Sequence, residues 1–415
     1  HILGIKDMSG LLKPYAAKEL IGALKDAVKI PLHLHTHDTS SLQPATYLMA
    51  IEAGVNVVDC ALGALSGLTS QPNFNSIVEM MRFHPREQAY DIASLNRFSD
   101  YWETVREYYY PFESGMKASS AEVFQHEIPG GQYSNLKPQA IALGLGDKFD
   151  EIKKTFAAVN DMFGDIVKVT PSSKIVGDMA QFMVANELTV EDVMRKGETL
   201  AFPESVEQYF AGEIGQPEGG FPKELQRIIL KGKEPITDRP GKHLAPIDFT
   251  EEFTAFKARF GDDAQFTDFL SYKFYPKVFE EYWAFRSQFG DVSVVPTPIF
   301  FFGMQQGEDT TIEIARGKTL LIRLLSIGPV DDKGNRTVFF KLNGQTRAIE
   351  IHDRSAKVEH VENRKVEKEN PKHLFVIEAM KMETTISALA DGSVQAVVLQ
   401  DGALVNTGDL VLELN

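Results

Sequence analysis

Two stretches near the start of the chain decide its fold: Ile2-Leu3-Gly4-Ile5-Lys6 and Leu32-His33-Leu34-His35-Thr36-His37-Asp38. The first reads as a short apolar strand, and the second closes another strand over residues 30–36. Between them Pro14 sits where a helix would begin, and Leu20, Ile21, Leu24, Ala27 and Val28 recur at helical spacing. A further helix is expected over 45–53, with Gly54 as its stop, and a third strand over 55–61. Strand, helix, strand, helix, strand at this spacing implies parallel strands with right-handed crossovers. Three such strands do not close a (β/α)8 barrel, which takes about 250 residues. If the strands belong to a barrel, its earlier strands lie upstream of His1, with the true start of the polypeptide and any targeting segment.

The period of two puts His33, His35 and His37 on one strand face and Leu32 and Leu34 on the other. Two imidazoles one residue apart can converge on one cation, and Asp38 follows at the strand's C-terminal end, where parallel-strand proteins place their chemistry. Lys6 and Asp7 end the preceding strand in the same way. Imidazole donors favour Zn or Mn over Ca or Mg. The competing reading is that these histidines are simply packed and hydrogen-bonded.

From about residue 82 to 286 the pattern is mainly helical, with helices expected over 95–109, 151–162, 175–186, 190–195 and 223–230. Gly- and Pro-rich loops separate them, such as Pro129-Gly130-Gly131 and 215–222. After Val292 short strands follow at 311–314, 319–327, 337–342 and 348–351, divided by turns at 331–335 and Asn343-Gly344. Residues 357–372 are charged and unpatterned, a linker, and strands return at 383–388, 394–399 and 410–414.

The 415 residues call for two or three domains. A net charge of −15 argues against a broad nucleic-acid or acidic-membrane surface, so neither is expected as a partner. No apolar run reaches the length of a membrane span, and one cysteine, Cys60, rules out an internal disulfide framework and fits a reducing compartment.

In the run Phe163-Gly164-Asp165-Ile166-Val167-Lys168-Val169-Thr170-Pro171-Ser172-Ser173-Lys174, Thr170 reads as a helix N-cap and Pro171 as the first helical residue. A helix start also suits an anionic or amide ligand. Near the C-terminus, Glu378-Ala379-Met380-Lys381-Met382-Glu383-Thr384 places a lysine between two methionines ahead of strands and Gly turns. A lysine on a turn is ordinarily just solvated.

These motifs together resemble the pyruvate carboxylase family. The segment from Ile5 to Pro14 and the His33–Ser40 run look like its carboxyltransferase barrel, 163–174 resembles the segment at which its biotin ring docks, and Ala-Met-Lys-Met resembles its biotin-acceptor hairpin. Phe202–Val206, Gly212–Pro217 and Pro296–Met304 also look like the family. The resemblance implies metal ligation by a carbamylated Lys6 with His35 and His37, the metal being Mn or Zn. It makes Thr170 the proton shuttle between the methyl group of pyruvate and the ring nitrogen of biotin, with Ser173 and Lys174 holding the ring. It makes Lys381 the site of covalent biotin, placed there by a biotin protein ligase. His33 is not a family ligand, and the family's metal-binding aspartate and its pyruvate-holding arginine and glutamine would lie upstream.

The implied fold is multidomain α/β. Residues 1–81 are the C-terminal strands and helices of a (β/α)8 TIM-type barrel, and 82–290 its helical extension. Residues 291–356 form a β-rich allosteric and tetramerisation module, 357–372 the linker, and 373–415 a partial all-β biotinyl domain. The implied reaction moves a carboxyl group from carboxybiotin to pyruvate, giving oxaloacetate. ATP and Mg would be used in an upstream domain, in a cytoplasmic or, in a eukaryote, mitochondrial-matrix homotetramer responsive to acetyl-CoA or another small effector. A biotin-dependent oxaloacetate decarboxylase or transcarboxylase α-type subunit is the nearest competitor, although the strand-rich module stands where those chains carry a Pro/Ala-rich linker. An acyl-CoA lyase or synthase would lack Lys381, and a passive biotin carrier would need neither metal site nor relay. The sequence departs from the family at Ser41-Leu42-Gln43, where a Gly-Asn-Gly is usual, which removes backbone freedom from that loop.

Overall fold

The computed structural model describes residues 1–331, 333–353, 355, 375–379, 382–386, 393–399, 403, 405 and 410–414, with backbone alone for 375–379 and 382–386. Lys381 and its neighbour Met380, and the expected linker 357–372, lie outside the described residues. The described chain divides into two compact units: His1–His243 with the C-terminal strands, and a stretch that starts at Leu244.

The first unit opens with strands β1 (Leu3–Asp7), β2 (Leu32–Thr36) and β3 (Val57–Val58), parallel in the order β1-β2-β3. Helices α1 (Pro14–Ala27) and α2 (Gln43–Glu52) connect them. Pro14 begins α1 because a first-turn proline gives up no helical hydrogen bond. Leu32 and Leu34 are fully buried against Ala17, Ile21, Tyr47 and Ala50, which leaves His33 and His35 on the opposite face. Each such leucine contributes about 1.5–3 kcal/mol of burial, enough to fix which face carries the histidines.

Next come α3 (Phe74–Met80), α4 (Ile92–Arg106), α5 (Val123–His126), α6 (Gly130–Ala142), α7 (Phe149–Met162), α8 (Ser172–Ala185), α9 (Val190–Lys196), α10 (Glu204–Phe210) and α11 (Lys223–Leu230). Their core surrounds α8, buried at nearly every position from Ile175 to Val184 and packed by Phe156, Phe163, Phe202 and Phe210. Pro129-Gly130-Gly131, read from sequence as a loop, instead opens α6. Towards the C-terminus, β8 (Phe375–Ala379) pairs antiparallel with β9 (Met382–Ile386), and β10 (Val394–Val397) with β11 (Leu412–Leu414), on separate sheets.

The second unit holds α12 (Phe249–Phe260), α13 (Phe266–Phe274) and α14 (Pro276–Phe289), joined around Phe256, Phe269 and Phe279. After α15 (Thr297–Phe302) comes an antiparallel meander of β4 (Asp309–Ala315), β5 (Lys318–Val330), β6 (Asn335–Leu342) and β7 (Gln345–His352). Among the described residues no helix is long and apolar enough to cross a membrane.

Candidate functional site

The β1–β2 register sets Lys6 directly beside His35 and Asp7 beside Thr36. Two hydrogen bonds orient the imidazoles. His35 Nδ1 donates to Asp59 Oδ2 at 2.7 Å, and His37 Nδ1 donates to the Thr69 carbonyl at 2.6 Å. His33 Nε2 donates to the other Asp59 oxygen, also at 2.7 Å. Burial pushes the Asp59 carboxyl up, but the hydrogen bonds from His35 and His33 outweigh it and hold the group below its ordinary range. Asp59 is therefore ionised and can only accept.

With both Nδ1 atoms committed, the Nε2 atoms of His35 and His37 face each other 3.3 Å apart. Two acceptors at that distance repel unless one ring carries a proton there or a cation sits between them. Ligands on a tetrahedral zinc at about 2.05 Å are separated by about 3.3–3.4 Å, so the donor spacing fits a metal. Burial, with the charges of His35 and Lys6, lowers the His37 pKa against the Thr69 carbonyl and Asp7, which favours the neutral ligand form. Among the described residues no three His, Cys, Asp or Glu side chains converge, and the residue beside the imidazole pair in the strand register is Lys6.

The surrounding loops are built to this pair. Asp7 accepts from Leu11 N, Leu12 N and Thr36 Oγ1, each at 2.9 Å, so it shapes the turn after β1. Gly10 lies at φ +72°, where an added Cβ would stand 2.2 Å from the His37 carbonyl oxygen. At Gly130 an added Cβ would stand 2.8 Å from the Thr69 oxygen and 2.9 Å from His37 Nδ1. Asp38 accepts from Gln43 N at 3.2 Å, and burial raises its pKa to about 6. Ser41 adopts φ +63°, the left-handed region in which glycine is at ease. Gln43, fully buried, compensates: its Nε2 donates to the Gly10 carbonyl at 2.7 Å and its Oε1 accepts from Thr36 Oγ1 at 3.1 Å.

The Thr170 segment differs in detail from its sequence reading. Pro171 takes αR geometry as the N-cap and α8 starts at Ser172, so Thr170 lies outside the helix and its hydroxyl is not spent on capping. The Thr170–Pro171 bond is cis. Ser172 Oγ takes over local bonding, accepting from Val169 N at 3.0 Å. Ser173 is buried, whereas the half-exposed Lys174 ammonium pairs with Asp178, 6% exposed, whose Oδ2 also accepts from Ser205 Oγ at 2.6 Å. A cavity of about 510 Å³ runs beside the segment, lined by Val169, Pro171, Ser172, Ile175, Tyr209 and Gln216 among others.

Lys6, His35 and His37 are thus brought together, as are Thr170, Ser173 and Lys174 at the start of α8. Asp59 and Asp178 were not legible as site residues. Asp59 gives the one usable signal, an acidic residue at the C-terminal side of its strand, as Asp7 and Asp38 are of theirs.

Three family models cover the chain: HMGL-like over residues 1–101, a conserved carboxylase domain over 123–323, and a biotin-requiring enzyme domain over 350–414. Together they place the chain in the class of biotin-requiring carboxylases by similarity. Pyruvate carboxylase of Bacillus subtilis is 48% identical over 439 aligned residues, covering all of this chain and 38% of that protein. The mitochondrial human pyruvate carboxylase is 39% identical, again over 38% of its length. The carboxyl transferase domain of Rhizobium etli pyruvate carboxylase superposes with TM-score 0.79 at 48% identity, covering 86% of this chain and 60% of that one. The same domain solved with pyruvate and biocytin gives 0.80. The chain belongs to the pyruvate carboxylase family. It spans about 38% of the length of the curated relatives it matches.

Proposed function

We propose that this chain performs the second half of pyruvate carboxylation, moving a carboxyl group from carboxybiotin to pyruvate to form oxaloacetate. The observation that carries the reading is the pair of facing Nε2 atoms of His35 and His37 beside Lys6. On this reading residues 1–81 are the last strands and helices of a (β/α)8 barrel, 82–290 its extension, 291–356 the tetramerisation module, 357–372 a linker and 373–415 the biotinyl domain. Lys381 carries biotin, attached by a biotin protein ligase.

Lys6, as its carbamate, with His35 and His37 would hold a Zn or Mn ion. When bound, the metal supplies a positive charge that orients pyruvate, and biotin supplies the carboxyl group. Ser173 and Lys174 would hold the biotin ring. The Thr170 hydroxyl, free of any capping duty, takes a proton from the methyl carbon and passes its own to the ring nitrogen. The electron pair left on that carbon forms the new C–C bond to CO2. A hydroxyl suits this exchange because it donates and accepts without a stable charged state. The protein would act in the cytoplasm or mitochondrial matrix, as a homotetramer tuned by a small effector, with ATP and Mg consumed in a separate domain.

The decisive assay supplies carboxybiotin and pyruvate without ATP to metal-loaded protein. Oxaloacetate is expected, and Thr170→Ala should abolish it with the fold intact. Full activity in that variant would remove Thr170 from the mechanism, and no oxaloacetate from metal-loaded wild type would leave a passive biotin carrier. The decarboxylase reading is not favoured, since the matched relatives are pyruvate carboxylases.

A further inference from the structure

Thr170 has little to hold it where it is. Its hydroxyl is not used as a cap, the residue is exposed, and α8 begins only at Ser172. Two residues upstream, however, Lys168 sends its side chain inward, leaving it 9% exposed, and its ammonium meets Glu127 Oε2 at 2.9 Å. The second carboxylate in reach, Asp165, is farther away at 3.7 Å.

Glu127 also reaches the turn that follows β1. Its carbonyl accepts from Ser9 Oγ at 2.9 Å, and three residues on Gly130 N donates to the Met8 carbonyl at 3.1 Å. Met8 and Ser9 follow Lys6 and Asp7 directly. Glu127 itself sits at φ +54°, a left-handed conformation that disfavours a non-glycine residue. That twist lets one residue turn its carbonyl towards Ser9 and its carboxylate towards Lys168.

We propose that Glu127 and Lys168 are positioning residues that set the separation between the Thr170 hydroxyl and the Lys6/His35/His37 donor set. The proposal rests on the role given above to Thr170. The tie enters the chain two residues before Thr170 and, through Ser9, three residues after Lys6, so little slack lies between bracket and chemistry. Proton transfer needs hydrogen-bond reach, and a misplacement of about 1 Å can cost about a hundredfold in rate. A mostly buried ammonium with one close carboxylate partner also holds its position far better than a solvated surface pair.

The test compares Lys168→Met, Glu127→Gln and the double variant in biotinylated, metal-loaded holoenzyme. It reads ATP-independent carboxyl transfer, KM for pyruvate, bound metal and thermal midpoint. Each single variant should lower kcat at least about tenfold while KM stays within about twofold and metal content is unchanged. The double variant should lose no more than the worse single one, because one tie is being cut twice. Lys168→Arg, which keeps the cation, should stay within about threefold of wild type. An unchanged kcat in folded variants overturns the proposal, as does a loss that tracks metal loss or a raised KM. If Lys168→Met does not fold, Glu127→Gln, nearly isosteric, decides. Thr170→Ala runs alongside: if it retains turnover, the relay reading falls, and if it is inactive while Lys168→Met is not, only the bracket falls.

Discussion

The Asp59 carboxylate accepts the Nδ1 hydrogen of His35 at 2.7 Å while its second oxygen holds His33. One anion just beyond the third strand thereby fixes the tautomer of a residue on the second. His33, which ligates nothing in the family, gains a purpose: it keeps Asp59 from rotating away from His35.

Asp59→Asn should weaken metal binding by about 10–100-fold, because His33 and His35 bond different oxygens and a carboxamide turns one of those positions into a donor. Competition with a chromophoric chelator measures it. His33→Gln should produce a smaller loss, since Asp59 keeps its bond to His35. Equal affinity in Asp59→Asn and wild type would show that His35 needs no orienting anion.

Gly130→Ala forces a methyl group against the Thr69 oxygen and His37 Nδ1, at 2.8 and 2.9 Å before relaxation. The backbone must shift, at a cost of about 1–3 kcal/mol. The expected signature is a lower thermal midpoint accompanied by reduced metal occupancy. A lower midpoint with full occupancy would show that the His37–Thr69 bond survives the shift.

Gln43→Ala deletes the side chain that joins the turn after β1 to β2. The Gly10 carbonyl and Thr36 hydroxyl each lose a buried partner, and Thr36 retains Asp7. A destabilisation of about 2–3 kcal/mol is expected in denaturant titration. Gln43→Gly, which restores the family residue, should cost at least as much, because here the loop relies on the amide.

His126 gives a pH dependence. It is buried, its Nδ1 accepts from Ile128 N at 3.0 Å, and burial, aided by Lys153 against Glu122 and Glu127, lowers its pKa from 6.5 to about 4. The folded state disfavours the proton that the unfolded chain accepts, so its contribution is complete above about pH 6.5 and declines as pH falls towards 4. At most about 3 kcal/mol is lost across that window. His126→Asn, whose amide oxygen can still accept from Ile128, should flatten the dependence between those limits. An unchanged slope in unfolding experiments from pH 7 to 4 would assign it to other groups.

The strands and their histidine face were legible because period two is a local property of a few residues. Leu32 and Leu34 had to go inward, so His33 and His35 could not. The α6 start was misread because Pro-Gly-Gly has turn chemistry, and only the tertiary closeness of Thr69 and His37 explains glycine there. Thr170 reads as a cap in isolation, yet Pro171 adopts the cap position and shifts the helix start by one residue. Asp59, Glu127 and Asp178 act across 24, 41 and 4 positions on His35, Lys168 and Lys174, and pairings of that kind leave no periodic trace except the last.

At Gly10 the space beside the His37 carbonyl is filled by nothing larger than hydrogen. In a survey of every single substitution, that position should tolerate as little as His35 or His37, though it contributes no side-chain donor or charge. Vacancy there is as strict a requirement as ligation, and a catalogue of functional groups drawn up from side chains alone would omit it.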